Sequence, residues 1–165
     1  MSKVAVPQFG ELLAPFIGAV PPQALPNFLA LLERGAAQRY RYWAEQLPQF
    51  REGLMRCSAS EDEIASTIDA IYSIDESMAE QIKQPLPAAR DAYYQVFETL
   101  SLPDQLAVQA DAELQGANAW RNMLSDSNSD AVQQGLLKCI ALEEASSKYL
   151  YSIIDQVRAA FADAD

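Results

Sequence analysis

The sequence predicts an all-α protein: a four-helix bundle of two duplicated antiparallel helical hairpins, with an N-terminal arm and a crossover helix. Three observations carry that expectation. Half of the 165 residues are hydrophobic and 21% are charged, with alanine, leucine, glutamine and glutamate abundant, which favours helix around a packed core. Apolar residues recur at spacings of three and four, and no strand-like run competes with them. One part of the chain also recurs in weakened form about eighty residues later.

The recurrence pairs Glu33, Tyr40 and Arg41 with Glu113, Trp120 and Arg121 at one constant offset. It continues with Gly53-Leu54-Met55-Arg56-Cys57 against Gly135-Leu136-Leu137-Lys138-Cys139, and Ala59 and Glu61 against Ala141 and Glu143, at an offset two residues longer. A duplicated helix pair with a lengthened second loop accounts for both offsets.

Taken in order, residues 1–25 read as an N-terminal arm with a short helix around Phe9–Ile17, ended by Pro21-Pro22. The first hairpin spans 26–72. Its first helix is expected to be capped by Asn27 and to stop near Gln46 before Pro48, and its second to run from Phe50 to Tyr72. Ser60 and the acids after it resemble a helix start, but the apolar face from Leu54 to Ile71 continues through them. Residues 73–102 form a crossover, broken by Pro85 and Pro87, with an extra helix over 86–100. Ser101 with Pro103 marks the start of the second hairpin, 103–165, whose helices are expected near 101–124 and 131–161 before fraying over 162–165. The chain reads as a single domain.

Glu33-x-x-Ala36-x-x-Arg39-Tyr40-x-Tyr42-Trp43-Ala44 resembles the first helix of rubrerythrin-type ferritin-like proteins. Ser60-Glu61-Asp62-Glu63-Ile64-Ala65 is similar to their second-helix Glu-x-x-His motif, with Ile64 in the histidine position. Glu113 matches the third-helix ligand. Leu142-Glu143-Glu144-Ala145-Ser146 is similar to the fourth-helix Glu-x-x-His, with Ser146 in the histidine position. The resemblance implies a ferritin-like four-helix bundle in which Glu33, Glu61, Glu113 and Glu143 are metal ligands meeting near the bundle centre. It also implies association through bundle faces, hence a homodimer. Both motif histidines are absent, and the chain contains no histidine at all.

Each glutamate lies on an apolar helical stripe: Glu33 with Ala36, Ala37 and Tyr40; Glu61 with Cys57, Ile64 and Ile68; Glu113 with Ala117 and Trp120; Glu143 with Cys139 and Leu150. A buried carboxylate must be paired, protonated or metal-bound. The sequence leaves two outcomes open. Arg39, Arg41, Arg121 or Lys148 neutralise the cluster, giving a degenerate site in a non-enzymatic binding or structural module. Alternatively a His-free site binds a divalent metal (iron, manganese, magnesium or calcium), as a metal-binding protein or metal-dependent oxidoreductase; oxygen-only ligands suit manganese, magnesium or calcium better than a redox-active di-iron pair. Cation supply separates the two: arginines at the glutamates mark the first, an unpartnered cluster the second.

Cys57 and Cys139 each precede a site glutamate by four residues. On antiparallel helices with the glutamates level, their sulfurs would lie about 12 Å apart, too far for a disulfide. They read as small core residues in a reducing cytoplasm. Tyr40, Tyr42, Trp43 and Trp120 read as core aromatics, and Asp62, Glu63 and Glu144 as surface acids. A formal charge of −11 without a basic cluster argues against nucleic acid and anionic membranes. No apolar run approaches the roughly 18 residues of a membrane span, and Val4 to Val20, interrupted by Pro7 and Pro15, makes a poor leader. A cytoplasmic bacterial protein is the expectation. Val4, Val6, Phe9, Leu12, Leu13, Phe16 and Ile17 of the arm must be covered by the parent bundle or by a second subunit.

Overall fold

The computed structural model describes residues 4–162, which are mostly helical, with no strand among them. Seven α-helices follow in order: α1 (Phe9–Ile17), α2 (Leu25–Gln46), α3 (Arg51–Ile71), α4 (Glu76–Lys83), α5 (Leu86–Glu98), α6 (Leu102–Asn122) and α7 (Asp130–Ala162). The expected fraying falls almost wholly on 163–165, outside the described residues. No helix among the described residues is long and apolar enough to cross a membrane.

Long helices α2, α3, α6 and α7 form the bundle. Pro48 stops α2, and the 3-10 turn Pro48–Phe50 leads straight into α3, so the two pack as an antiparallel hairpin. Ser101 caps α6 by accepting from Asp104 N–H, with Pro103 in the first turn as expected. Ser60 lies inside α3 and starts nothing. Asn27 is a correction. The helix begins at Leu25 with Pro26 in its first turn, and Asn27 is buried. Its Nδ2 donates to Tyr72 O (2.8 Å) and Asp69 Oδ1 (3.1 Å), tying the start of α2 to the end of α3. The arm helix α1 has the expected span, Phe9–Ile17, and Gly18 N–H closes it on Ala14 O, three residues before the proline pair.

Cross-helix contacts fix the directions. Arg39 meets Gln109 while Trp43 meets Gln105, so α2 and α6 run antiparallel. Gly53 faces Tyr149 while Gly135 faces Thr67 and Ile71, so α3 and α7 run antiparallel and closely packed. α3 and α6 therefore run the same way, and the segment between them must return along the bundle. It does so through α5 and through α4, a helix not anticipated from sequence, capped by Asp75.

Two apolar clusters fill the bundle. One gathers Tyr40, Trp43, Leu54, Cys57, Leu106, Leu150 and Val157; the other gathers Ala30, Ile64, Ile68, Ala117, Trp120, Leu136 and Cys139. A third joins α1, α4 and α5 to the start of α2 through Leu13, Phe28, Ile82, Leu86 and Ala89. Phe9 stacks on Tyr93 at 4.6 Å, and Phe9 and Leu13 are buried, which stabilises the arm by about 1.5–3 kcal/mol for each side chain. Phe9 and Leu13 of the arm are thus covered by its own bundle, against which Val4, Val6, Leu12, Phe16 and Ile17 pack half-buried.

Candidate metal centre

On every long helix the predicted glutamate falls between residues of the first cluster and residues of the second. Glu33 lies between Ala30 and Tyr40, Glu61 between Cys57 and Ile64, Glu113 between Ala110 and Ala117, and Glu143 between Ile140 and Leu150. The carboxylates make a polar layer across an otherwise apolar interior. Glu61, Glu113 and Glu143 are 0–2% exposed, and one oxygen from each lies within 4.8 Å of the others. Glu33 is half-buried, stands outside that tight trio and shares a hydrogen bond with Glu61.

Donors reach the cluster unevenly. Glu113 Oε1 accepts from Tyr40 Oη and from Gln109 Nε2, both at 2.6 Å. Glu143 Oε1 accepts from Trp120 Nε1 at 2.8 Å. Neither oxygen of Glu61 has a donor, nor does Glu113 Oε2, unless a carboxyl proton lies between the acids. Such a proton is what the environment enforces. Burial, then repulsion by Glu113, Glu143 and Glu33, holds the Glu61 pKa well above the carboxylate range, and its proton is shared with Glu33. Burial, then repulsion by Glu33 and Glu113, does the same to Glu143, which shares its proton with Glu113. Glu33 is pushed up to about 7, chiefly by burial, with the Glu61 proton and Arg39 opposing the rise.

The expected neutralising cations are elsewhere. Arg41 pairs with Asp62, Arg121 with Glu144 at 2.5 Å, and Lys148 is exposed. Lys138 holds Glu63, so the extra acids beside the motifs are surface partners. Arg39 is buried, but its guanidinium sits among Trp43, Tyr93, Tyr94 and Phe97 and donates to Gln109 Oε1 at 3.1 Å. Its charge reaches Glu113 only through that amide. Among the described residues, no Arg or Lys forms an ion pair with any of the four glutamates.

Ile64 and Ser146, which the resemblance set in place of histidines, are both buried. Cys57 bonds to Ser146, and Cys139 lies 3.9 Å from Ile64 O, so each cysteine faces the opposite helix. Both thiols are free, and burial pushes them up to about 12, which keeps them protonated and apart from soft-metal chemistry.

Two parts of the site were not read from the sequence. Gln109 sits one turn before Glu113, a spacing that was visible, but glutamine was read there only as a helix former. The other is a cleft of about 470 Å³ between α1, α2 and α6, reaching Glu33, Glu113 and Glu143. A Cβ on Gly116 would lie 2.6 Å from Glu143 Oε1, so glycine there lets that carboxyl pass close to α6.

No family model, curated protein or solved structure matches the chain.

Proposed function

We propose that this chain is a ferritin-like protein whose four glutamates bind a hard divalent cation, manganese, magnesium or calcium before iron. The carrying observation is the buried trio Glu61, Glu113 and Glu143, drawn together without a cation partner and with oxygens lacking donors. Opposite ligands of such ions stand about 4–5 Å apart, which matches the 4.8 Å span of the trio. A bound cation would replace the protons the acids now share. Iron–oxygen chemistry is disfavoured because Ile64 offers no ligand and Ser146 no imidazole.

The ferritin-like assignment is supported by the helix order, the long return between α3 and α6, and contacts that repeat across the halves. Gly53 opposes Tyr149 as Gly135 opposes Thr67, and Cys57 opposes Ser146 as Cys139 opposes Ile64. Each pair maps on its counterpart at the longer sequence offset, as a duplication with a two-fold relation would produce.

A second reading has its own observation. The carboxyls satisfy each other by sharing protons, as a degenerate, non-enzymatic centre would. Metal analysis after chelator-free purification, with manganese titration, separates the two. About one equivalent of metal or more, lost in Glu61→Gln and Glu143→Gln, supports the cation site; no uptake leaves the proton-sharing module. A homodimer through the half-buried apolar residues of the arm belongs to the same reading, and light scattering at micromolar concentration, with and without residues 1–20, tests it.

A further inference from the structure

We infer that the cleft between α1, α2 and α6 admits a small, uncharged, mainly apolar organic molecule, which presents one oxygen to the cation at Glu113 and Glu143. The inference rests on the cation site proposed above. The cleft volume of about 470 Å³ lies within the roughly 300–1,000 Å³ typical of small-molecule sites. Leu13, Ile17, Leu29 and Leu32 supply apolar wall, and Glu33, Glu113 and Glu143 form the acidic part. Glu113 Oε2 is a buried oxygen without a donor on a residue that lines the space. Glu61 does not line the cleft, so a ligand entering there meets one side of the carboxylate trio.

Charge selects against an anion: the chain carries −11, and the acidic end of the cleft has no ion-paired cation among the described residues. The apolar wall selects against a strongly hydrated molecule. A hard cation held by three carboxylates takes further oxygen ligands, and a hydroxyl or carbonyl on an apolar body supplies one. The cleft wall can be closed from two sides. A Cβ on Gly10 meets nothing within 4 Å, and Ala119 is a small residue on the α6 wall.

The test uses the full chain loaded with manganese and titrated with 1-octanol, read by calorimetry and by the Mn²⁺ paramagnetic resonance spectrum. Saturable octanol binding that alters the spectrum, weakened about tenfold or more in Gly10→Phe and in Ala119→Phe at unchanged manganese affinity, is the expected result. Manganese retention in those variants shows that they fold. Manganese binding without octanol binding, or octanol binding indifferent to both variants, overturns the inference and leaves the cation site standing. Octylammonium that binds more tightly than octanol and displaces manganese also overturns it, because the cleft then serves an organic cation. Absence of manganese uptake removes the cation site, and this inference with it.

Discussion

The glutamates of the two hairpins are held differently. In the second hairpin, Glu113 and Glu143 receive hydrogen bonds from Tyr40, Gln109 and Trp120. In the first, Glu61 receives none from any amide, indole or phenol, and depends on a proton shared with Glu33. The aromatics seven residues after Glu33 and Glu113 diverge as well: Trp120 donates within its own hairpin, whereas Tyr40 reaches across to the other. Two carboxylates are thus oriented by permanent donors, while the other two take their orientation from whatever lies between them. A proton or a cation can fill that place, and the difference makes the first hairpin the more responsive half.

The largest effect expected is on metal uptake. Glu61→Gln keeps the volume and removes an acid whose partner among the described residues is another acid. It should weaken manganese binding about 100-fold or more while leaving the metal-free melting temperature unchanged or raised. Calorimetry beside a thermal scan checks both. A metal-free protein clearly destabilised by Glu61→Gln would mean that the carboxylate itself, and not a replaceable occupant, holds the first hairpin.

Next is the dependence on pH. The unfolded glutamates titrate near 4.5, whereas in the fold Glu33 holds its proton to about 7 and Glu61 and Glu143 hold theirs well above the unfolded value. Below 4.5 both states are protonated and the difference vanishes. Above it the native state binds more protons than the unfolded one, so stability falls as pH rises, and the Glu33 share of that fall ends near 7. Denaturant midpoints of metal-free protein should therefore decline from pH 5 to pH 8. Manganese should reverse the trend while releasing protons.

Donor deletion gives a smaller effect, on the second hairpin alone. Tyr40→Phe should cost about 1–3 kcal/mol in urea unfolding, because a buried carboxylate oxygen loses one of its two donors. Smaller still, Gly116→Ala should weaken manganese binding about tenfold by displacing the Glu143 carboxyl, with helix propensity offsetting part of the strain.

The long helices were legible because their stripes and punctuation are local. Pro48, Ser101 and the turn before α7 act through neighbouring residues, and the four glutamates stood out as charges on apolar faces. Asn27 misled because a capping residue and a buried amide look alike until the end of α3 is placed beside it. Helix α4 was missed because its short run of Met78 and Ile82 lies in a proline-broken crossover. The cleft depends on where α1 comes to rest, which no local pattern states. Arg39 was expected to neutralise the glutamates, but it is surrounded by rings, three of which arrive from α5, far along the chain.

That arginine has a wider consequence. Its guanidinium is wedged among four rings, a positive pole set to one side of the carboxylate layer. The interior is consequently electrically lopsided. Glu33 is eased toward ionisation by that pole, while Glu61 and Glu143 remain under the pressure of their neighbours. A charge fixed on one side of the layer therefore favours ionisation at the half-buried acid of the cleft wall, Glu33.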